Sequence, residues 1–152
     1  MASETIKLDG EDLQILAMLE KDSKVRIGQM ARRIGMPAST VHHRIKRLES
    51  EGIIAGYGIR KNYRKMGFGI KAHVLVFVDV TVLKRLKKTQ QDIASALLGI
   101  NCVESAEIIT GEADLLATVR ARDMDDFRKV LLDKIQSIEG ITETRTMMAI
   151  SE

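Results

Sequence analysis

The stretch from Gly35 to Ile54, GMPASTVHHRIKRLESEGII, constrains the first half of this chain more than any other. Val41, Ile45 and Leu48 recur at i, i+4 and i+7, the spacing of one buried helical stripe. Pro37 suits the first turn of such a helix and Gly52 suits its stop. At about 100° per residue, Ser39, His43, Lys46 and Arg47 fall on the side opposite the stripe. That side is cationic, with short hydroxyl residues at its N-terminal end. A helix that reads base edges in a major groove presents such a face. The plainer alternative is a solvated basic surface.

The flanking sequence supports the sharper reading. Leu8 to Glu20 predicts a helix with Asp9 as N-cap and Asp12 three residues on, the spacing of a capping box. Leu13, Ile15, Leu16, Ala17 and Leu19 supply its apolar face. A second, short helix is predicted from Gly28 to Ile34, with Met30, Ala31 and Ile34 inward, Arg32 and Arg33 outward, and Gly35 at its end. Three helices with a tight turn between the last two predict a helix-turn-helix. Ile53 to Tyr63 alternates loosely around Gly56 and Gly58, which predicts a strand or ribbon, the wing of a winged variant. Arg60, Lys61 and Arg64 then lie near DNA or in the linker. Charge and glycine mix over 61–69, and the expected domains are 1–64 and 65–152.

The second half changes period. Ile70, Ala72, Val74, Val76, Val78 and Val80 alternate with Lys71, His73, Leu75, Phe77 and Asp79, which predicts a strand. Leu83 to Leu98 is expected to be largely helical, with Leu86, Ile93, Leu97 and Leu98 as candidates for its buried side. A strand over Cys102 to Thr110, a turn at Gly111-Glu112-Ala113 and a return strand over Asp114 to Arg120 follow. Asp123 to Ile138 predicts a helix, closed by Gly140, and Ile141 to Ile150 a last strand. The order β-α-β-β-α-β is the split, ferredoxin-like arrangement, with helices on one face of a four-stranded sheet. The expected fold is therefore α+β: an N-terminal winged helix-turn-helix plus a C-terminal ferredoxin-like βαββαβ domain. Leu75 and Phe77 fall on the uncovered sheet face, which a second subunit is expected to cover.

Charge separates the halves. Residues 1–64 hold 12 Lys/Arg and 8 Asp/Glu, while residues 65–152 hold 12 and 13. Ser23 to Leu48 contains seven basic residues and no acid, a run that attracts polyanions. Thr89 to Val119 contains five acids and no Lys or Arg. The longest apolar run, Val74 to Val78, is too short to span a bilayer, and no signal peptide is read at the N-terminus. One cysteine, Cys102, excludes an intramolecular disulfide. A cytoplasmic protein without a membrane partner is expected. His42 and His43 are adjacent, so they point about 100° apart and do not form the i, i+4 chelate of a zinc helix. No metal site and no cofactor are expected.

These residues carry a family resemblance. Leu8-Asp9 with Ile15-Leu16, Met30-Ala31 to Ile34-Gly35-Met36, and Val41, Arg44-Ile45, Arg47-Leu48-Glu49 and Gly52-Ile53-Ile54 cover the first half. Thr110-Gly111-Glu112-Ala113-Asp114-Leu115-Leu116 and Gly140-Ile141 through Thr144 and Thr146 cover the second. In this order the chain resembles the Lrp/AsnC (leucine-responsive regulatory protein, feast/famine) transcription regulators over nearly its whole length. Pro37 stands where such proteins often place a serine cap, and Gly28 brings no capping side chain. The resemblance implies a DNA-binding domain joined by a strand to an effector-binding domain, dimers often assembled into octamers, and an amino acid or related small effector near Gly111.

Candidate DNA-reading residues are Ser39, Thr40, His43, Lys46 and Arg47, with His42 and Arg44 at the flanks. Replacing Lys46 or Arg47 by alanine is expected to weaken DNA binding without unfolding the protein. Arg44 lies close to the buried stripe, where it would brace a partner helix or a phosphate. For the effector, Gly111 and Asp114 match the family's turn, with Glu112 and Ala113 between them, and Thr144 and Thr146 share one face of the last strand. The five-acid run ranks a basic amino acid above a neutral one and an acidic one last. The alternatives are a DNA-organising architectural protein whose second domain only oligomerises, and a metabolite-sensing enzyme subunit. No nucleophile–base pair or complete phosphate loop supports an enzyme.

Overall fold

The computed structural model describes residues 6–150. The chain divides into two compact units, residues 1–60 and 61–152. In the first unit, α1 spans Gly10–Lys21, α2 spans Ile27–Ile34 and α3 spans Ala38–Ser50. Asp9 caps α1 by accepting from the Asp12 N–H at 2.8 Å, and Asp12 returns the bond to the Asp9 N–H at 3.2 Å. That reciprocal box satisfies two of the donors a helix N-terminus leaves open. Neither α2, entered from Arg26, nor α3, entered from Pro37, has a side-chain cap. Gly35 ends α2 with φ +80°, and the N–H groups of Gly35 and Met36 both donate to the Ala31 carbonyl. This closure turns the chain sharply into α3.

Val41, Ile45 and Leu48 of α3 pack with Ile15 of α1 and with Met30 and Ala31 of α2 to form the first core. Leu13, placed inward by the sequence reading, is 56% exposed. The α1 helix has only two close neighbours for its apolar side, so a third direction stays in solvent. No strand forms between residues 53 and 69, so the ribbon predicted over Ile53 to Tyr63 is absent. A strand needs a paired neighbour, and the described residues of the first unit hold no second extended run to supply one. Gly56 and Gly58 further weaken extended structure there. Tyr63 and residues 61–64 group with the second unit, because the Arg120 guanidinium lies 4.0 Å from the centre of the Tyr63 ring and Phe68 meets that ring edge-on.

The second unit is a four-stranded antiparallel sheet in the order β2-β3-β1-β4. Its elements are β1 (Ile70–Val78), α4 (Val80–Arg85), α5 (Gln90–Leu98), β2 (Val103–Ile108), β3 (Leu115–Ala121), α6 (Met124–Lys129) and β4 (Ile141–Met148). The α6 helix runs on as π-helical turns over Val130–Ile135. The largely helical stretch expected over Leu83 to Leu98 is split between two helices, α4 and α5. Lys87 takes a left-handed φ of 55°, and Thr89 then opens α5 with its own capping box to Asp92. A side chain that caps a new helix cannot continue the old one. Leu98 is consequently 50% exposed, on the outer side of α5.

Ala72, Val74 and Val76 of β1 and Leu115, Ala117, Val119 and Ala121 of β3 are fully buried beneath Leu83, Ile93, Leu97, Phe127, Val130 and Ile135 of the helices. Residues directly opposite across a ladder share a face. Thr146 faces Val74 and Thr144 faces Val76, so both threonines lie on the helix-covered side. Leu75 and Phe77 lie on the other side, with Leu116 of β3 and Arg145 of β4. No helix among the described residues is long and apolar enough to cross a membrane.

Candidate DNA-reading helix and effector turn

On α3, Ser39, Thr40, His42 and His43 are exposed, and Lys46 keeps 64% of its side chain in solvent. Ser39, Thr40, His43, Arg44 and Arg47 share one surface depression with Asp9. The amphipathic spacing therefore delivers a polar face, but its cations are not loose. Lys46 Nζ pairs with Glu49 at 2.8 Å, and Glu49 also accepts from the Tyr57 hydroxyl at 2.8 Å. These two donors hold the Glu49 carboxyl below its usual value. An exposed pair of this kind contributes little and yields readily to a phosphate.

The two arginines are held more firmly. Asp12 is 1% exposed, and its two carboxylate oxygens receive Arg44 Nη1 at 2.8 Å and Arg47 Nη2 at 2.5 Å. Arg44 Nη1 also donates to Asp9 at 2.6 Å. Arg47 Nε lies 3.8 Å from Glu51, beyond hydrogen-bond reach, and is buried without a hydrogen-bond partner. The sequence reading placed Arg47 outward and assigned Asp12 only to a helix cap. In the structure the same carboxylate caps α1 and ties it to α3. Replacing Arg47 by alanine is therefore not neutral to stability. Taking one partner from a buried ion pair costs about 3 kcal/mol, the low end of the range for such changes, because the arginines are partly exposed.

The bonds to Arg44 and to the Asp12 N–H pull the Asp9 carboxyl from 3.8 down to about 2. The Arg44 guanidinium is pushed upward in return by Asp9 and Asp12. An unfolded Asp9 binds a proton near 3.8 and the folded one only near 2, so the unfolded state takes up more protons between these values. The Asp9 contribution to stability is thus complete above about pH 4 and is lost as pH falls through about 2.

In the second unit, Gln90 and residues 108–114 line an open hollow of about 590 Å³ at the β2–β3 turn. Gly111 has φ +127°, and an added Cβ would meet nothing within 4 Å. Backbone conformation rather than space demands glycine there. The N–H groups of Thr110, Gly111, Glu112 and Ala113 make no hydrogen bond within the described residues. Ala113 is buried, whereas Gly111 and Glu112 are exposed. Asp114 is half-buried, and both its oxygens are engaged: Oδ2 accepts from the Val78 N–H at 2.9 Å and Oδ1 from Gln90 Nε2 at 2.9 Å. It closes the end of β1 and tethers the start of α5.

Thr144 and Thr146 do not line this hollow. Thr144 Oγ1 accepts from Gln136 Nε2 at 2.8 Å on the helix side of β4. The charge argument for a basic ligand also changes. Arg145, which the acidic run excluded by ending at Val119, reaches Glu112 at 2.5 Å and Glu143 at 2.8 Å and lies 4.8 Å from the Phe77 ring. The turn is not an uncompensated acidic patch. No signal local to Gly111 could have found Arg145, since it reaches the turn from β4 across the intervening β1. Among the described residues, no group of three or more His, Cys, Asp or Glu side chains could hold a metal ion.

An acid titration of folding checks the Asp9 bond. Between about pH 4 and pH 2 the wild-type protein should lose more stability than an Asp9→Asn protein, read by urea unfolding at each pH. Equal losses would show that the bond to Arg44 does not persist in solution.

The chain aligns with known proteins over both units. Residues 8–55 match the winged helix-turn-helix DNA-binding family and residues 75–152 match the Lrp/AsnC ligand binding domain family. It is 35% identical to an uncharacterized HTH-type transcriptional regulator of Pyrococcus furiosus, over 93% of this chain and 92% of that one. It is 32% identical to the proline dehydrogenase transcriptional activator of Rhizobium radiobacter, over 96% and 91%. The crystal structure of a Neisseria meningitidis transcriptional regulator in complex with L-Met superposes with a TM-score of 0.86 at 25% identity, covering 96% of this chain and 92% of that one. Both units are thus matched together in transcriptional regulators, and the chain belongs to the Lrp/AsnC family of DNA-binding transcription regulators.

Proposed function

We propose that α3 enters the major groove of duplex DNA and that Ser39, Thr40, His43 and Lys46 contact bases and phosphates, with His42, Arg44 and Arg47 at the margins of the contact. The exposed face of α3 opposite its buried stripe carries this reading. Hydroxyls and Lys contact base edges or phosphates, while the flanking cations contribute sequence-independent attraction. Each phosphate neutralised adds about 0.9 to the slope of log affinity against log salt. Three α3 cations are already paired with acids in the free protein, so the slope should be shallower than seven basic residues suggest. Titration of duplex DNA at several salt concentrations should give a negative slope, reduced by about 1 in a Lys46→Ala protein. Affinity that is flat between low and physiological salt would overturn the reading.

The same proposal assigns the Gly111 turn to an amino-acid effector. The four unengaged N–H groups at 110–113 suit a carboxylate, and the carboxylates of Glu112 and Asp114 suit an ammonium group. The Neisseria relative in complex with L-Met supports an amino acid as the chemical class. Because Arg145 offsets Glu112, the ranking by side-chain charge loses its basis, and shape of the hollow should govern preference instead. Calorimetric titration of the full chain with the standard amino acids, starting from L-methionine, should find at least one ligand. Its des-amino and decarboxylated analogues should bind at least tenfold more weakly. Heat from none of the amino acids would remove the assignment.

The sheet face carrying Leu75, Phe77 and Leu116 is assigned to a second copy of the chain, placing two reading helices in one assembly. A two-fold dimer of this kind reads half-sites about one helical turn, or a multiple of it, apart. Sedimentation should give a dimer or larger assembly at micromolar concentration, and Phe77→Asp should shift it toward monomer. A wild-type monomer under those conditions would sink the dimer.

A further inference from the structure

We propose that Asp12 is a specificity-determining positioning residue, one that never touches DNA but fixes the two arginines of the reading helix. The inference rests on the assignment of α3 to the major groove. One buried carboxylate receives Arg44 Nη1 on one oxygen and Arg47 Nη2 on the other. The two arginines are three residues apart on α3, so their side chains emerge on neighbouring turns. Asp9 adds a second bond to the same Arg44 nitrogen. No bond within the described residues uses Arg44 Nε or Nη2, or Arg47 Nη1. Each guanidinium is therefore anchored at one nitrogen, while Arg44 keeps Nε and Nη2 and Arg47 keeps Nη1 for a ligand.

This arrangement has two opposed effects on binding. A free arginine side chain samples many rotamers, and a contact must remove part of that entropy. The anchor removes it before DNA arrives, which favours the one geometry that the anchored groups can reach. The anchor also sets three carboxylates, Asp9, Asp12 and Glu51, beside two guanidinium groups. Diffuse attraction to any phosphate backbone is thereby reduced. Asp12 sacrifices sequence-independent affinity and gains discrimination between sites.

The charge-removing, nearly isosteric Asp12→Asn change separates this role from a purely structural one. An amide oxygen still accepts from the Asp9 N–H, so the helix cap persists while the hold on the arginines loosens. The probes are a duplex selected from a random pool by the wild-type protein and a random-sequence duplex of equal length. For Asp12→Asn, random DNA should bind more tightly, the salt slope should steepen by about 1 to 2, and the preference for the selected duplex should fall about tenfold. Asp9→Asn removes an exposed partner of Arg44 alone and should move the same three quantities less. It carries the test should Asp12→Asn fail to fold. A parallel loss of affinity for both duplexes, with an unchanged slope, would mean that Asp12 acts only through stability and would overturn the proposal. Lys46→Ala and Ser39→Ala report on the underlying assignment. If these leave both duplexes bound as before, α3 is not the reading helix. If they weaken binding while Asp12→Asn and Asp9→Asn leave slope and preference unchanged, only the positioning role fails.

Discussion

The carboxylate of Asp12 is the interaction on which the first unit depends. It is buried, it completes the capping box of α1, and it holds two arginines of α3. A buried charge without partners is costly, so its burial requires the helices to meet in one arrangement. The apolar contacts among Ile15, Met30, Val41 and Leu48 give that arrangement its stability but little directionality. Hydrogen bonds from Arg44 and Arg47 add the direction. The helix proposed to face DNA is thus oriented by α1.

The second unit solves a different problem. Its sheet is covered on one face by α4, α5 and α6, and the small residues Ala72, Ala117 and Ala121 let the helices approach. Asp114 secures the end of this layer by accepting from Val78 and Gln90. Gly111 supplies the positive φ that the adjoining turn needs. What remains outward at that turn is a set of unengaged backbone donors in an open hollow, beside a Glu112 paired with Arg145 and an Asp114 held by Val78 and Gln90. The opposite sheet face keeps Leu75, Phe77 and Leu116 partly in solvent, where they offer area for assembly.

Both assigned surfaces show the same electrostatic habit. On α3, Lys46, Arg44 and Arg47 have acidic partners within the unit, and at the turn Glu112 has Arg145. A run of like charge along the chain overstates the field at a surface, because residues remote in sequence neutralise it in space. Short-range partners dominate at physiological ionic strength, where the screening length is about 8 Å. Selectivity then depends less on total charge than on which donors and acceptors remain unengaged and where they are held.

Local rules made much of this protein legible. The i, i+4, i+7 stripe of Val41, Ile45 and Leu48, the Asp9–Asp12 box, the left-handed Gly35 and the alternation through β1 are set by contacts within a few residues, and all of them are visible in one dimension. The order of strands and the face carrying Leu75 and Phe77 followed from the same periods. The break at Lys87 was hidden, because an apolar pattern of helical period does not show that Thr89 caps a new helix. The missing ribbon after Ile53 was hidden too, since pairing belongs to two segments and the described residues of the first unit offer only one. The engagements of Asp12 with Arg47, of Asp114 with Val78 and of Arg145 with Glu112 span more than thirty residues each. They arise from helix packing and strand register, so only the tertiary structure decided which charges of this chain are held by its own residues and which nitrogens and oxygens remain for DNA and ligand.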